Sequence, residues 1–98
     1  MNSAEWRERQ QAYVDKLEQA ISTEETTLKD LTAFGTDLVG RWLTMRPGPQ
    51  KDALDIRTRD IDEKIANMER RLDEKRKKLN DARGRLQAAQ MPRGQQPR

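Results

Sequence analysis

The side chains that could do chemistry in this chain are carboxylates and amines, because its 98 residues include no cysteine and no histidine. A thiol nucleophile, an imidazole base and the usual zinc sites are therefore excluded. The densest carboxylate stretch comprises Asp52, Asp55, Asp60, Asp62 and Glu63. It lacks the spacing and the central glycine of a calcium loop, so we interpret it as a solvated helix face. We predict a protein that is not an enzyme and that uses no cofactor or metal.

Basic side chains are concentrated in the second half of the chain, where they suit a polyanion such as nucleic acid. The candidate contacts are Arg70, Arg71, Arg76, Lys77, Lys78, Arg83 and Arg85. They surround a predicted helix, whereas a nucleic-acid reader concentrates its basic residues on one face. We therefore keep polyanion binding as an alternative function and interpret the run mainly as a solvated surface.

Two helical segments must position these side chains, and Arg46-Pro47-Gly48-Pro49 separates them. In the second segment, apolar residues recur at alternating spacings of four and three, which is a heptad pattern. These seam positions are Leu54, Thr58, Ile61, Ile65, Met68, Leu72, Lys75, Leu79, Ala82, Leu86 and Ala89. The first segment repeats the alternation at Val14, Leu17, Ile21, Glu24, Leu28, Leu31, Gly35, Leu38, Trp42 and Met45. The pattern predicts an all-α fold, an antiparallel helical hairpin joined as a coiled coil.

The predicted hairpin occupies residues 1–90, with a first arm at about 3–45 and a second arm at about 50–90. The turn is expected at 46–49, where two prolines flank a glycine. Residues 91–98 have no period and contain two more prolines, so we expect a disordered tail.

The first arm contains two positions at which a helix could kink or end. Ser22 with Glu25 has the spacing of a capping box, and Gly35 followed by Thr36 suits the end of one helix and the start of another. The sequence therefore leaves open whether the first arm is one helix or several.

Folding about Gly48 places opposite each other those residues whose numbers sum to about twice 48. The apolar layers of the two arms then match, beginning with Trp42 opposite Leu54. Each arm has one charged seam residue, and these two, Glu24 and Lys75, fall in neighbouring layers. We predict that they pair and set the register, because any other register would bury one charge alone.

Charge also favours pairing of the arms within one chain. Residues 1–45 carry five basic and eight acidic residues, whereas residues 46–98 carry fifteen basic and nine acidic residues. The first arm is therefore acidic and the second basic. Beside the seam, we expect two acids of the first arm to approach two arginines of the second. The expected pairs are Glu18 with Arg83 and Glu25 with Arg76.

Aromatic and small residues widen the apolar stripe of the first arm beyond the two seam positions. This stripe comprises Trp6, Tyr13, Ala20 and Phe34, to which the seam residue Trp42 adds a fifth candidate for partner binding. A stripe this wide usually buries against more than one helix. The alternative is that the rings only cover the aliphatic stems of basic side chains on the second arm.

Part of the second arm resembles a known coiled-coil family. Within residues 54–79, the run from Ile61 to Lys75, followed by Leu79, is similar to the C-terminal coiled-coil helix of the bacterial flagellar filament-capping protein. In that family the helix pairs with an N-terminal helix and packs into a stalk. The first arm also has a looser likeness to helical-hairpin stalk proteins of flagellar and type III secretion export. That likeness rests on Trp6, Gln10, Gln11, Tyr13, Leu17, Glu18 and Ile21.

These observations predict a coiled-coil interaction protein, that is, an adaptor, chaperone or assembly factor that binds partner helices. The resemblance implies a secretion or appendage system. The alternatives are a self-assembling structural subunit and a polyanion-binding or nucleic-acid-binding protein. A thin hairpin with 33% hydrophobic residues is expected to bind a protein partner or itself as an oligomer. With no signal-peptide pattern and no apolar run of membrane-spanning length, we expect a cytoplasmic protein, although export without a cleavable signal stays open.

Overall fold

The chain folds into two long helices joined by a short turn. A computed structural model describes residues 3–90, which form helix α1 at Ser3–Thr44 and helix α2 at Pro49–Gln90. No strand occurs in this described part, and the two helices pack against each other. The predicted all-α antiparallel hairpin is therefore confirmed. The predicted tail at 91–98 lies outside the described residues.

The turn is built from the proline and glycine residues that mark it in the sequence. The backbone N–H of Asp52 donates to the carbonyl of Gly48 at 3.1 Å, so Gly48 caps α2 and Pro49 is its first helical residue. Proline suits the first helical position, because an N–H there would have no partner within the helix. Gly48 has a φ of 156°, a conformation that residues with a Cβ rarely adopt. The first helix ends one residue earlier than predicted and the second begins one residue earlier.

Helix α1 is a single helix, which decides the question that the sequence leaves open. It continues without a break through Ser22 and Gly35. Two of its threonines are accommodated by hydrogen bonds from their hydroxyl groups to the carbonyl four residues earlier. Thr27 donates to Thr23 at 3.1 Å and Thr36 donates to Thr32 at 3.0 Å. The capping signals at Ser22 and Gly35 therefore do not end the helix.

The hairpin divides into two compact units. The turn unit comprises Thr23–Leu72, and the end unit comprises the described residues 3–22 and 73–90. The turn unit buries Leu38, Ile61 and Leu72, whereas the end unit buries Val14, Ile21, Leu79, Ala82 and Leu86. All eight are predicted seam positions. The last predicted seam residue, Ala89, is exposed, because the start of α1 offers mainly polar and charged residues there.

The register of the turn unit agrees with a fold axis at Gly48. A Cβ placed on Gly35 would lie 3.3 Å from Cγ2 of Ile61, and the numbers of these two residues sum to 96, twice 48. Gly35 is buried, so its missing side chain lets the two helices approach closely. In the end unit, the guanidinium of Arg83 donates to the carboxylate of Glu18 at 2.7 Å, which confirms that predicted pair.

Candidate functional site

The residues predicted to bind a partner differ in how much of their surface remains uncovered. Tyr13 and Phe34 are 41% and 43% exposed, whereas Trp6, Ala20 and Trp42 are half-buried. Tyr13 belongs to the end unit and Phe34 to the turn unit. Each unit therefore presents one exposed ring of the predicted aromatic stripe.

Basic side chains of α2 lie over two of the rings in the turn unit. The guanidinium of Arg57 is 6.0 Å from the ring centroid of Phe34, and the ammonium of Lys51 is 4.2 Å from the ring of Trp42. Both distances suit a cation–π interaction. The alternative in which the rings only cover basic side chains of the second arm is therefore consistent with the contact of Phe34 with Arg57. Phe34 nevertheless keeps 43% of its surface exposed.

One side of the turn unit carries a row of cations, which we call the basic face. Arg57, Lys64 and Arg71 follow one another on α2 at intervals of seven residues, and Phe34 lies beside them on α1. A groove of about 410 Å³ runs along this side. Its lining consists of Glu24, Thr27, Leu31, Lys64, Asn67, Met68 and Arg71. The groove thus combines apolar seam side chains with polar and basic side chains.

The opposite side of the turn unit carries a row of carboxylates, which we call the acidic face. Asp55, Asp62 and Glu69 also follow one another on α2 at intervals of seven, and Val39 lies beside them on α1. Two grooves of about 210 and 230 Å³ share Val39. The first is lined by Val39, Trp42, Asp55 and Thr58, and the second by Thr32, Gly35, Thr36, Val39, Asp62 and Ile65.

Three exposed apolar side chains in the turn unit are absent from the predicted set. Val39, Leu43 and Ile56 are 41%, 67% and 61% exposed. They lie off the seam, and sequence reasoning missed them because it followed only the aromatic stripe. The sequence did contain a signal for these residues, because large apolar residues off the seam are unusual in a coiled coil whose surface is otherwise charged.

The residues predicted as polyanion contacts are all exposed, but several interact with other side chains of the same chain. Arg83 pairs with Glu18, Arg76 lies 3.5 Å from Asp73, and Arg70 donates to the side-chain oxygen of Asn67. The set is distributed around α2 rather than along one face. Glu24 and Lys75 are both half-buried, and their pairing stays a prediction.

Among residues 3–90, no three histidine, cysteine, aspartate or glutamate side chains converge in a way that could hold a metal ion. Neither of the two described helices is apolar enough over a sufficient length to cross a membrane.

Comparison with protein-family models, with curated proteins and with solved structures gives no match to this chain. The resemblance of residues 54–79 to the flagellar capping helix therefore stays a hypothesis.

Proposed function

We propose that this protein is a non-enzymatic interaction protein that binds helices of another chain, as an adaptor, chaperone or assembly factor does. The observation that carries the proposal is the set of large apolar side chains that the hairpin leaves uncovered. Among residues 3–90, five of them are at least 41% exposed, although the seam buries eight apolar residues of its own. Four of the five belong to the turn unit, which is therefore the proposed binding region.

The spacing of the exposed side chains suits a helix as the partner. Val39 and Leu43 are four residues apart on α1 and form a ridge along one side of that helix. A ridge of this kind packs into the groove between side chains of a facing helix. Recognition of an amphipathic helix uses the same spacing of apolar anchors. The resemblance to flagellar proteins suggests a secretion or appendage system as the setting, and this setting is part of the proposal.

Self-assembly is the second candidate function, and the opposite charges of the two faces of the turn unit favour it. A structural subunit that assembles with its own copies needs two surfaces that complement each other. The basic face and the acidic face meet this requirement in sign and in spacing.

Site-specific photo-crosslinking tests the proposed function. A photoreactive phenylalanine analogue replaces Phe34 or Leu43 in cells that produce the protein naturally, and crosslinked peptides are identified by mass spectrometry. We expect both positions to crosslink to helical segments of a protein, because their side chains are uncovered. The matched control is the same analogue at Glu63, an exposed polar position on α2. Crosslinking at Phe34 and Leu43 no stronger than at Glu63 would contradict the proposal.

A double substitution tests whether the aromatic stripe contributes to binding. Tyr13→Ser together with Phe34→Ser removes the two exposed rings and leaves the buried seam intact. We expect the loss of the crosslink partner found at Leu43, with helicity unchanged by circular dichroism. Unchanged capture by this variant would exclude the stripe from the binding surface.

A further inference from the structure

The two faces of the turn unit are complementary in charge. On α2, the cations Arg57, Lys64 and Arg71 and the acids Asp55, Asp62 and Glu69 form two rows with the same seven-residue interval. Within the described residues, Lys64, Arg71, Asp62 and Glu69 form no ion pair. Two members of the rows have contacts within the chain: Asp55 pairs with Arg59 at 2.9 Å, and Arg57 lies 6.0 Å from the ring centroid of Phe34. Each row is therefore largely available to a second molecule.

The two faces are also complementary in shape. Phe34 projects from the basic face with 43% of its surface exposed. The acidic face has the two grooves of about 210 and 230 Å³ that meet at Val39. An aromatic ring is small enough for grooves of this size, since a cavity of about 150 Å³ holds benzene. In the second groove, Gly35, Ile65 and the two threonines of the lining give such a ring apolar contact.

From this match we infer that the protein associates with itself through the turn unit, with the basic face of one copy against the acidic face of a second copy. Phe34 of the first copy occupies the groove at Val39 of the second, and Lys64 and Arg71 meet Asp62 and Glu69. The inference rests on the second candidate function, self-assembly, for which it names the two surfaces that meet. Pairing between two like faces is disfavoured, because it would bring rows of the same charge together.

Contact between two different faces has a consequence for the size of the assembly. Each copy that binds through its basic face still presents a free acidic face. A heterologous contact of this type adds copies one after another, unless the rotation between neighbouring copies closes the assembly into a ring. We therefore expect the average mass to rise steadily with concentration instead of levelling off at that of a dimer. The contact should also weaken as salt screens the charges.

Sedimentation equilibrium of charge-reversal variants tests the inference. The acidic face is reversed by Asp62→Lys with Glu69→Lys, and the basic face by Lys64→Glu with Arg71→Glu. We expect wild type to associate between micromolar and millimolar concentration, and each variant alone to lose roughly tenfold in association constant, because attraction becomes repulsion. An equimolar mixture of the two variants should recover association, because each reversed face then meets a face of opposite charge.

Matched controls reverse charges at outward positions of the same helix, with Glu63→Lys for the acidic face and Arg70→Glu for the basic face. Both controls should associate as wild type does. Circular dichroism checks that each variant folds. If reversal of Lys64 and Arg71 unfolds the chain, Phe34→Ser replaces it, since this variant removes only an exposed ring and should also lower the association constant.

The outcomes distinguish this inference from the proposed function. A wild type that stays monomeric at millimolar concentration overturns the inference, as does a mixture of variants that fails to recover association. In either case the proposed function stands if Phe34 and Leu43 crosslink to a different protein. Crosslinks to no protein at all, including a second copy, would remove both.

Discussion

At the scale of single residues, Gly35 shows how a helix-breaking signal can serve packing instead. Its absent side chain leaves room for Ile61 of α2, and the helix continues through it. Glycine inside a helix costs about 0.5–1 kcal/mol relative to alanine. The close approach of the two helices in the turn unit offsets this cost.

Replacing Gly35 should therefore lower stability, whereas replacing a glycine that has free space around its Cβ position should raise it. We expect Gly35→Leu to lower the free energy of unfolding by about 1–3 kcal/mol, because its Cβ alone would lie 3.3 Å from Ile61. The control Gly40→Leu should raise it by about 0.5–1 kcal/mol, since nothing lies within 4 Å of a Cβ there. Urea denaturation measures both. Equal effects of the two substitutions would mean that Gly35 has no role in packing.

Two leucines of the turn unit allow the same substitution to be compared at a buried and an exposed site. Leu72 is 1% exposed and Leu43 is 67% exposed. We expect Leu72→Ala to cost about 2–5 kcal/mol of unfolding free energy through lost contacts and the cavity left behind. Leu43→Ala should change it by less than about 0.5 kcal/mol. Thermal and urea denaturation at low protein concentration would test this pair. A large cost at Leu43 would show that this side chain is covered in solution.

At the scale of elements, the turn joins the two helices through a single glycine between two prolines. Pro47 and Pro49 each have a restricted φ, and Gly48 between them adopts a φ of 156°. The end of α1 is closed by a hydrogen bond from the N–H of Met45 to the carbonyl of Trp42 at 3.3 Å. The hydroxyl of Thr44 satisfies the carbonyl of Arg41 at 3.0 Å.

Changing Gly48 should destabilise the hairpin without any loss of side-chain contacts. With a φ of 156°, Gly48→Ala forces a Cβ into a strained conformation, and we expect a cost of about 1–3 kcal/mol. Gly84→Ala is the control, because Gly84 lies in α2 with nothing within 4 Å of a Cβ and should gain stability. The midpoints of urea denaturation compare the two. A Gly48→Ala variant as stable as Gly84→Ala would contradict the role given to the turn.

The ion pair between Arg83 and Glu18 illustrates what charge contributes between elements. The pair links α1 and α2 in the end unit at 2.7 Å, yet both side chains are about half exposed. Exposed pairs contribute about 0–1 kcal/mol, so this one orients the helices more than it stabilises them.

At the scale of the whole molecule, the hairpin and an open chain that pairs with other chains make different predictions about concentration. In the hairpin, the apolar layers of each unit form within one chain. We expect the melting temperature measured at about 1 M salt, where contacts between charged faces are screened, to be independent of protein concentration. Circular dichroism melts over a hundredfold dilution would show this. A melting temperature that falls on dilution would mean that the layers form between chains.

The sequence determined the features that depend on local spacing. Alternating intervals of four and three define the seam, and the Pro47-Gly48-Pro49 turn defines the fold axis that places Gly35 opposite Ile61. The pairing of Glu18 with Arg83 follows from their positions beside the seam and from their opposite charges. These follow because helical periodicity and a short turn together fix which residues stand opposite each other.

Only the tertiary structure decided which side chains remain uncovered and what surrounds them. The structure shows that α1 continues through Gly35, which packs beside Ile61, and that Val39 and Leu43 remain exposed. The two grooves of the acidic face arise from side chains of both helices. A linear pattern records which residues are apolar, but exposure is a property of the packed pair, and the proposed interactions depend on exposure.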